Sequence, residues 1–268
     1  MAEDPHRDAV ARHDGSAPGF ACALDAGEDA RFERFRARPL PGSQVGDGHP
    51  MIVNSLPKSG SVWMCAMLRH LFGLSREGNP AILHVGDIRD TEVRRPVFGV
   101  VVLVRDLRDV VVSWYRETQR NDLRAGFAQP RYPTVEAFYF EFLLGFLRGE
   151  PRFEHGRLSD WLDLVTFRGF PLIRYEDLVG DPQAGLRKVM TFWKVEVSDG
   201  DIAATAAALE FDRMPATART MGGTIAEAVA GGHLDTGRTG RWTDEMPDRV
   251  AADIDRRFGD FQGRLGYG

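Results

Sequence analysis

The stretch Met51-Ile52-Val53-Asn54-Ser55-Leu56-Pro57-Lys58-Ser59-Gly60-Ser61-Val62-Trp63 changes character twice. Met51 to Val53 is a short apolar run, which reads as a buried strand. Asn54 to Gly60 is rich in turn formers and reads as a tight loop. From Ser61 to Leu74 apolar positions recur with the period of a helix, with Val62, Cys65, Ala66, Leu68 and Phe72 among them. A strand, a tight loop and a helix in that order open an α/β unit. Such a turn brings backbone N–H groups together at a helix N-terminus, where partial positive charge accumulates. Lys58 adds a full charge, and Ser59 and Ser61 add hydroxyl donors. The combination suits a phosphate-like dianion. It is not a Walker A loop, in which the lysine follows the glycines, because Lys58 precedes Gly60. The plain alternative is an ordinary turn with a surface lysine. Lysine is rare here, however: Lys58, Lys188 and Lys194 are three among 34 basic residues, so Lys58 calls for a reason.

Outward from this unit the alternation continues. Ala81 to His84 reads as a second strand. Phe98 to Val104 is a continuous β-branched run, as in a parallel strand buried on both faces. It passes into Asp106-Leu107-Arg108-Asp109 and an apolar helix from Val110 to Gln119. Asn121 to Pro133 reads as a loop. Helices are expected over Thr134–Leu147, Leu158–Phe167, Pro182–Trp193 and Pro247–Phe258, and a strand over Phe170–Arg174. The pattern predicts a single α/β domain, residues 49–268, with a central, mostly parallel β-sheet flanked by helices. Residues 1–48 are polar and read as a partly disordered lead-in. Residues 217–240 hold Gly222, Gly223, Gly231, Gly232, Gly237 and Gly240 with little apolar periodicity, and read as a Gly-rich lid.

Composition narrows the function. The chain has 268 residues, 43% apolar and 27% charged, with a net charge of −5. A mildly acidic chain is a poor general binder of nucleic acid, since phosphate neutralisation needs excess positive charge. No run approaches the roughly 18 to 20 apolar residues of a membrane span, and residues 1–50 lack the apolar region of a signal peptide, so cytoplasmic residence is expected. Cys22 and Cys65 give neither a disulfide framework nor metal-ligand spacing, and no metal is expected. Cys65 reads as core. Monomer and homodimer both remain open.

Two further segments carry chemistry. Arg105 falls at the carboxyl end of the long strand, where open α/β sheets bind ligands. An arginine there can fork onto a phosphate, with Ser113 on the next helix adding a hydroxyl. Asp106, Arg108 and Asp109 read as a charged helix start. In Arg174-Tyr175-Glu176-Asp177-Leu178, Tyr175 suits the face of a base, while Glu176 and Asp177 suit capping or buttressing.

In this order, the three segments resemble the PAPS-dependent sulfotransferase family, where PAPS is 3′-phosphoadenosine-5′-phosphosulfate. The family's 5′-phosphosulfate loop PKSGTTW is matched by Pro57 to Trp63, with Ser61-Val62 in place of two threonines. Its 3′-phosphate segment RxxRDxxxS is matched by Arg105 to Ser113, and its YEDL followed by DP by Tyr175 to Leu178 and Asp181-Pro182. The resemblance spans Met51 to Trp242 and suggests a bacterial branch. It implies a P-loop-NTPase-like fold and transfer of a sulfuryl group from PAPS to a hydroxyl or amine of a small-molecule acceptor, possible natural products among them. The product would be 3′-phosphoadenosine-5′-phosphate (PAP, 3′,5′-ADP).

For single residues, it implies that Pro57, Lys58, Ser59, Gly60, Ser61, Val62 and Trp63 hold the 5′-phosphosulfate side of the donor. Lys58 would also stabilise the leaving oxygen. Arg105 and Ser113 would hold the 3′-phosphate, and Tyr175 would lie near the adenine. The base would be a histidine upstream of the 3′-phosphate arginine. His84, 21 residues before Arg105, fits, with Asp87 and Asp90 as alternatives. The family's cytosolic RKGxxGDW segment corresponds to Asp235-Thr236-Gly237-Arg238-Thr239-Gly240-Arg241-Trp242, so the basic pair is absent and Arg238, or else Arg241, would replace it. Two rivals remain: a P-loop kinase of a small metabolite, and a catalytically silent 3′-phosphonucleotide-binding protein. The acceptor is not legible. Tyr132, Phe138, Tyr139 and Phe142 suit either an acceptor wall or core, and His233 in the Gly-rich stretch is a further candidate contact.

Overall fold

The Val-rich run settles into the sheet interior because both of its faces are apolar. The structure, a computed structural model, describes residues 51–73, 82–85, 99–153, 157–221, 223–231 and 237–268. Strands β1 (Met51–Ser55), β2 (Ile82–Val85), β3 (Gly99–Val104) and β4 (Leu172–Arg174) pair in the order β2-β1-β3-β4, all parallel. Val53 lies opposite His84 and Val101, and Leu103 lies opposite Ile173. Successive strand residues point to opposite faces. Val100, Val102 and Val104 therefore enter one core, while Val101 and Leu103 enter the other.

The helices divide accordingly. One face is covered by α2 (Leu107–Arg124), a segment built from α3 (Val135–Phe138), a π-turn (Tyr139–Leu143) and α4 (Leu144–Leu147), then α5 (Leu158–Phe167) and α12 (Asp248–Arg264). The other is covered by α1 (Ser61–Leu71), α7 (Pro182–Trp193), α8 (Asp199–Ala208), α9 (Met214–Met221) and α10 (Gly223–Ala230). Short α6 (Tyr175–Gly180) follows β4 directly, and α11 (Trp242–Glu245) precedes the last helix. The expected α/β layering holds.

Several local expectations are corrected. The stretch 217–240 was expected to be a loop, yet α9 ends and α10 lies within it, so its first half is helical. Residues 232–236, including His233, lie outside the described residues, as do Asp87, Asp90, Cys22 and the lead-in. Helix α2 runs five residues past Gln119, into the expected loop. Its polar end is stable because buried Asp122 accepts from the Arg131 backbone N–H and Nε, both at 2.9 Å. The last helix extends to Arg264, and β4 begins at Leu172. Phe138 and Tyr139 are fully buried core, whereas Tyr132 and Phe142 pack partly exposed against it. Cys65 is core as expected, and burial pushes its thiol up to about 12.

The turn from β3 into α2 is fastened from behind by the last helix. Buried Gln262 donates from Nε2 to Asp106 Oδ1 (2.8 Å) and accepts from the Leu107 N–H (3.2 Å). Tyr267 donates to Glu176 Oε2 (2.5 Å), and Glu176 Oε1 accepts from the Asp106 N–H (3.3 Å), so α6 is tied in as well. Removing a buried bonded partner costs about 1–3 kcal/mol. Gln262→Ala should therefore lower the urea midpoint by that equivalent with an unchanged m-value. An unchanged midpoint would show that the fastening is dispensable.

Candidate active site

The loop between β1 and α1 is bent by two left-handed residues, Lys58 (φ 67°) and Gly60 (φ 92°). Gly60 is required on two counts. Its φ disfavours other residues, and a Cβ there would come within 2.7 Å of the Tyr175 ring. Lys58 has no such freedom, and its conformation costs roughly 1–2 kcal/mol. Its carbonyl is held in place by Arg105, whose Nη1 donates to it at 2.9 Å. Ser59 between them is fully buried, and its hydroxyl has no hydrogen-bond partner among the described residues. Helix α1 starts here with no side-chain cap and no acidic residue in its first turn, so its N-terminal charge is not offset locally.

Arg105 is itself buried at the end of β3. Its Nη2 donates to the Arg238 carbonyl (3.0 Å) and lies 3.8 Å from Asp109 Oδ2, and its guanidinium stacks 4.3 Å from the centre of the Tyr175 ring. Its Nε has no hydrogen-bond partner among the described residues. Asp109 accepts from the Gly240 N–H (2.6 Å) and the Trp242 N–H (3.1 Å). The segment 238–242 is therefore bound to the end of β3 and the start of α2. The Arg238 side chain is exposed there, and Arg241 pairs with Glu245 at 2.8 Å.

The helix start behaves as the sequence suggested. Asp106 caps α2 by accepting from the Arg108 N–H (2.9 Å) and pairs with the Arg108 guanidinium (2.8 Å), which lies over the Trp242 ring at 4.0 Å. Ser113, partly exposed, sits one turn beyond Asp109. Tyr175 packs edge-on against Trp63 (6.4 Å between centroids), and the Trp63 indole donates to the Leu209 carbonyl at 2.9 Å. Val62 packs against the second core, so its side chain is structural. His84 stands next to last in β2, at the same edge of the parallel sheet as the loop.

Sequence reasoning missed Glu117. Its Oε1 lies 3.1 Å from Lys58 Nζ, with both side chains about nine-tenths buried. Burial lowers the Lys58 pKa most strongly; Arg120 and Arg105 act in the same direction, and Glu117 opposes them. The signal was available in the helical register, since Asp109, Ser113 and Glu117 are spaced at i, i+4 and i+8 along one stripe of α2.

Comparison with known proteins bears on the fold and the family. No curated protein matches the sequence. Among solved structures, the mouse sulfotransferase SULT7A1 complexed with PAP is similar with a TM-score of 0.58 at 16% identity, over 82% of this chain and 87% of that one. Retinol dehydratase in complex with androsterone and inactive cofactor PAP gives 0.55 at 14%, over 87% and 85%. Retinol dehydratase in a complex with retinol and PAP gives 0.57 at 13%, over 97% and 95%. These likenesses show a shared fold. The family model of the sulfotransferase domain matches residues 91–265, more than half of the chain, and on that match the chain belongs to the sulfotransferase domain family.

Proposed function

We propose that this sulfotransferase moves the sulfuryl group of PAPS onto a hydroxyl or amine of a small-molecule acceptor, in the cytoplasm. The observation that carries the reading is the buried, unpartnered Ser59 hydroxyl beside Lys58 at the uncapped start of α1. Buried polar groups are normally satisfied, and an anion in the loop would accept from this one. PAPS supplies the transferable group and, in its 3′-phosphate, the feature that separates it from ATP.

In this reading Lys58, Ser59, Gly60 and Ser61 bind the 5′ end, with Pro57, Val62 and Trp63 shaping the turn. Arg105 turns its unpartnered Nε toward the 3′-phosphate, joined by Ser113 and Arg238, and Tyr175 supplies a wall near the adenine. The sulfur–oxygen bond to the nucleotide breaks as the bond to the acceptor oxygen or nitrogen forms. His84 takes the acceptor proton, and Lys58 faces the charge left on the departing phosphate. The chain's part is positioning and charge stabilisation. A poised base of this kind is worth about 10² to 10⁴ in rate. The lysine-before-glycine order speaks against the kinase, and the altered basic pair leaves the silent binder as an outcome of the test.

Incubation with PAPS and a panel of acceptors should release 3′,5′-ADP together with a sulfated product detected by its mass. Tight PAP binding without transfer to any acceptor would identify the silent binder. In calorimetry PAP should bind far more tightly than ATP, and equal affinities would remove Arg105, Ser113 and Arg238 from the 3′-phosphate. For the base, His84→Ala should lower turnover at least about tenfold with PAP affinity unchanged. Wild-type turnover in that variant would take His84 out of the mechanism.

A further inference from the structure

A site for an anion would be expected to leave its lysine facing ligand. Here the Lys58 ammonium is held by a carboxylate instead, at 3.1 Å and with both side chains nearly buried. A carboxylate beside a polyanion is an electrostatic burden unless it has a task. Lys58 is anchored at its other end, where the carbonyl accepts from Arg105 and the backbone is left-handed. A lysine side chain is otherwise a flexible four-carbon stem that samples many rotamers. Fixed at both ends, it becomes a strut between the phosphate loop and α2.

The surroundings also work against the ammonium charge. Burial, Arg120 on α2 and Arg105 at the end of β3 all disfavour the ammonium, and among these facing groups Glu117 alone favours it. A neutral amine would not stabilise a departing phosphate. An ammonium is a compact charge with three N–H donors, and the ion pair with Glu117 keeps that charge on Lys58 at the loop.

We propose that Glu117 is a positioning residue for the transfer reaction, its carboxylate holding the Lys58 ammonium charged and in place beside the phosphate loop, where the leaving oxygen would sit. This rests on the sulfuryl-transfer reading of the same site. Glu117 acts through Lys58 and does not touch the reacting atoms.

The chain offers a clean test, because it has three lysines. In full-length protein carrying ¹³C-labelled lysine, the side-chain signals can be titrated by NMR without any donor, and Lys58→Arg assigns the signal. Glu117→Gln should move the Lys58 midpoint down by about one pH unit, by loss of the opposite charge, and leave Lys188 and Lys194 unmoved. The alkaline limb of the turnover profile should move down with it, and kcat should fall roughly tenfold while PAP affinity is unchanged or tighter. Glu117→Asp, which keeps the charge but draws it back, should shift the midpoint less and in the same direction. It also serves if Glu117→Gln does not fold. An unmoved Lys58 midpoint in these variants overturns the proposal, even if turnover falls, because that pattern marks a merely structural role. Absence of PAP binding to the wild-type chain would sink the donor assignment instead, and the lysine titration would still decide whether Glu117 controls Lys58.

Discussion

The site depends on one buried guanidinium. Arg105 ends the central strand and reaches the carbonyls of Lys58 and Arg238, which lie far apart in sequence, while its face rests on Tyr175. A buried charge is tolerated only when it is paired and hydrogen-bonded. These carbonyls, together with Asp109 at 3.8 Å, meet that requirement. The return is geometric: the strained Lys58 backbone is held, and segment 238–242 is drawn against the loop. A lysine could not substitute, because a point charge lacks the planar fork needed to reach two carbonyls at once.

Helix α2 carries that geometry along its length. Asp109 anchors the Gly240 and Trp242 amides, Ser113 follows one turn on, and Glu117 follows another turn on against Lys58. The stripe spans about 12 Å at 1.5 Å per residue. The opposite side of the helix is fixed by Val111 and Val112 in the core, and its start by Gln262 and Glu176. The polar stripe is therefore aligned by packing beneath it, and the loop, the C-terminal segment and α2 form one assembly.

What was legible in the sequence follows from the same physics. The β3 run announced itself because burial on both faces leaves no room for a polar residue, and Pro57 to Gly60 did so because a tight turn restricts residue choice. Helices α8 to α10 escaped notice. Their Ala-rich stretches have helix propensity without a strong apolar stripe, and the glycines between them resemble a loop although they bracket helices. Glu117 and the anchoring role of Asp109 were also hidden. Each depends on a partner distant in sequence, and only a helix register projected onto a folded neighbour would reveal it.

The charge arithmetic also takes a different form in three dimensions. The chain carries a net −5, and its site cations are largely matched by acids: Arg105 lies beside Asp109, and Lys58 beside Glu117. Two near-neutral pairs give little long-range attraction. Attraction to an anion must then come from groups whose charge is not spent within the pairs. These include the uncapped N-terminus of α1 and the Ser59 hydroxyl. Such short-range donors reward a ligand that fits and do little for one that merely carries charge. An acidic protein can thus select a small polyanion without becoming a general binder of polyanions, because the paired cations supply shape and the dipoles supply the pull.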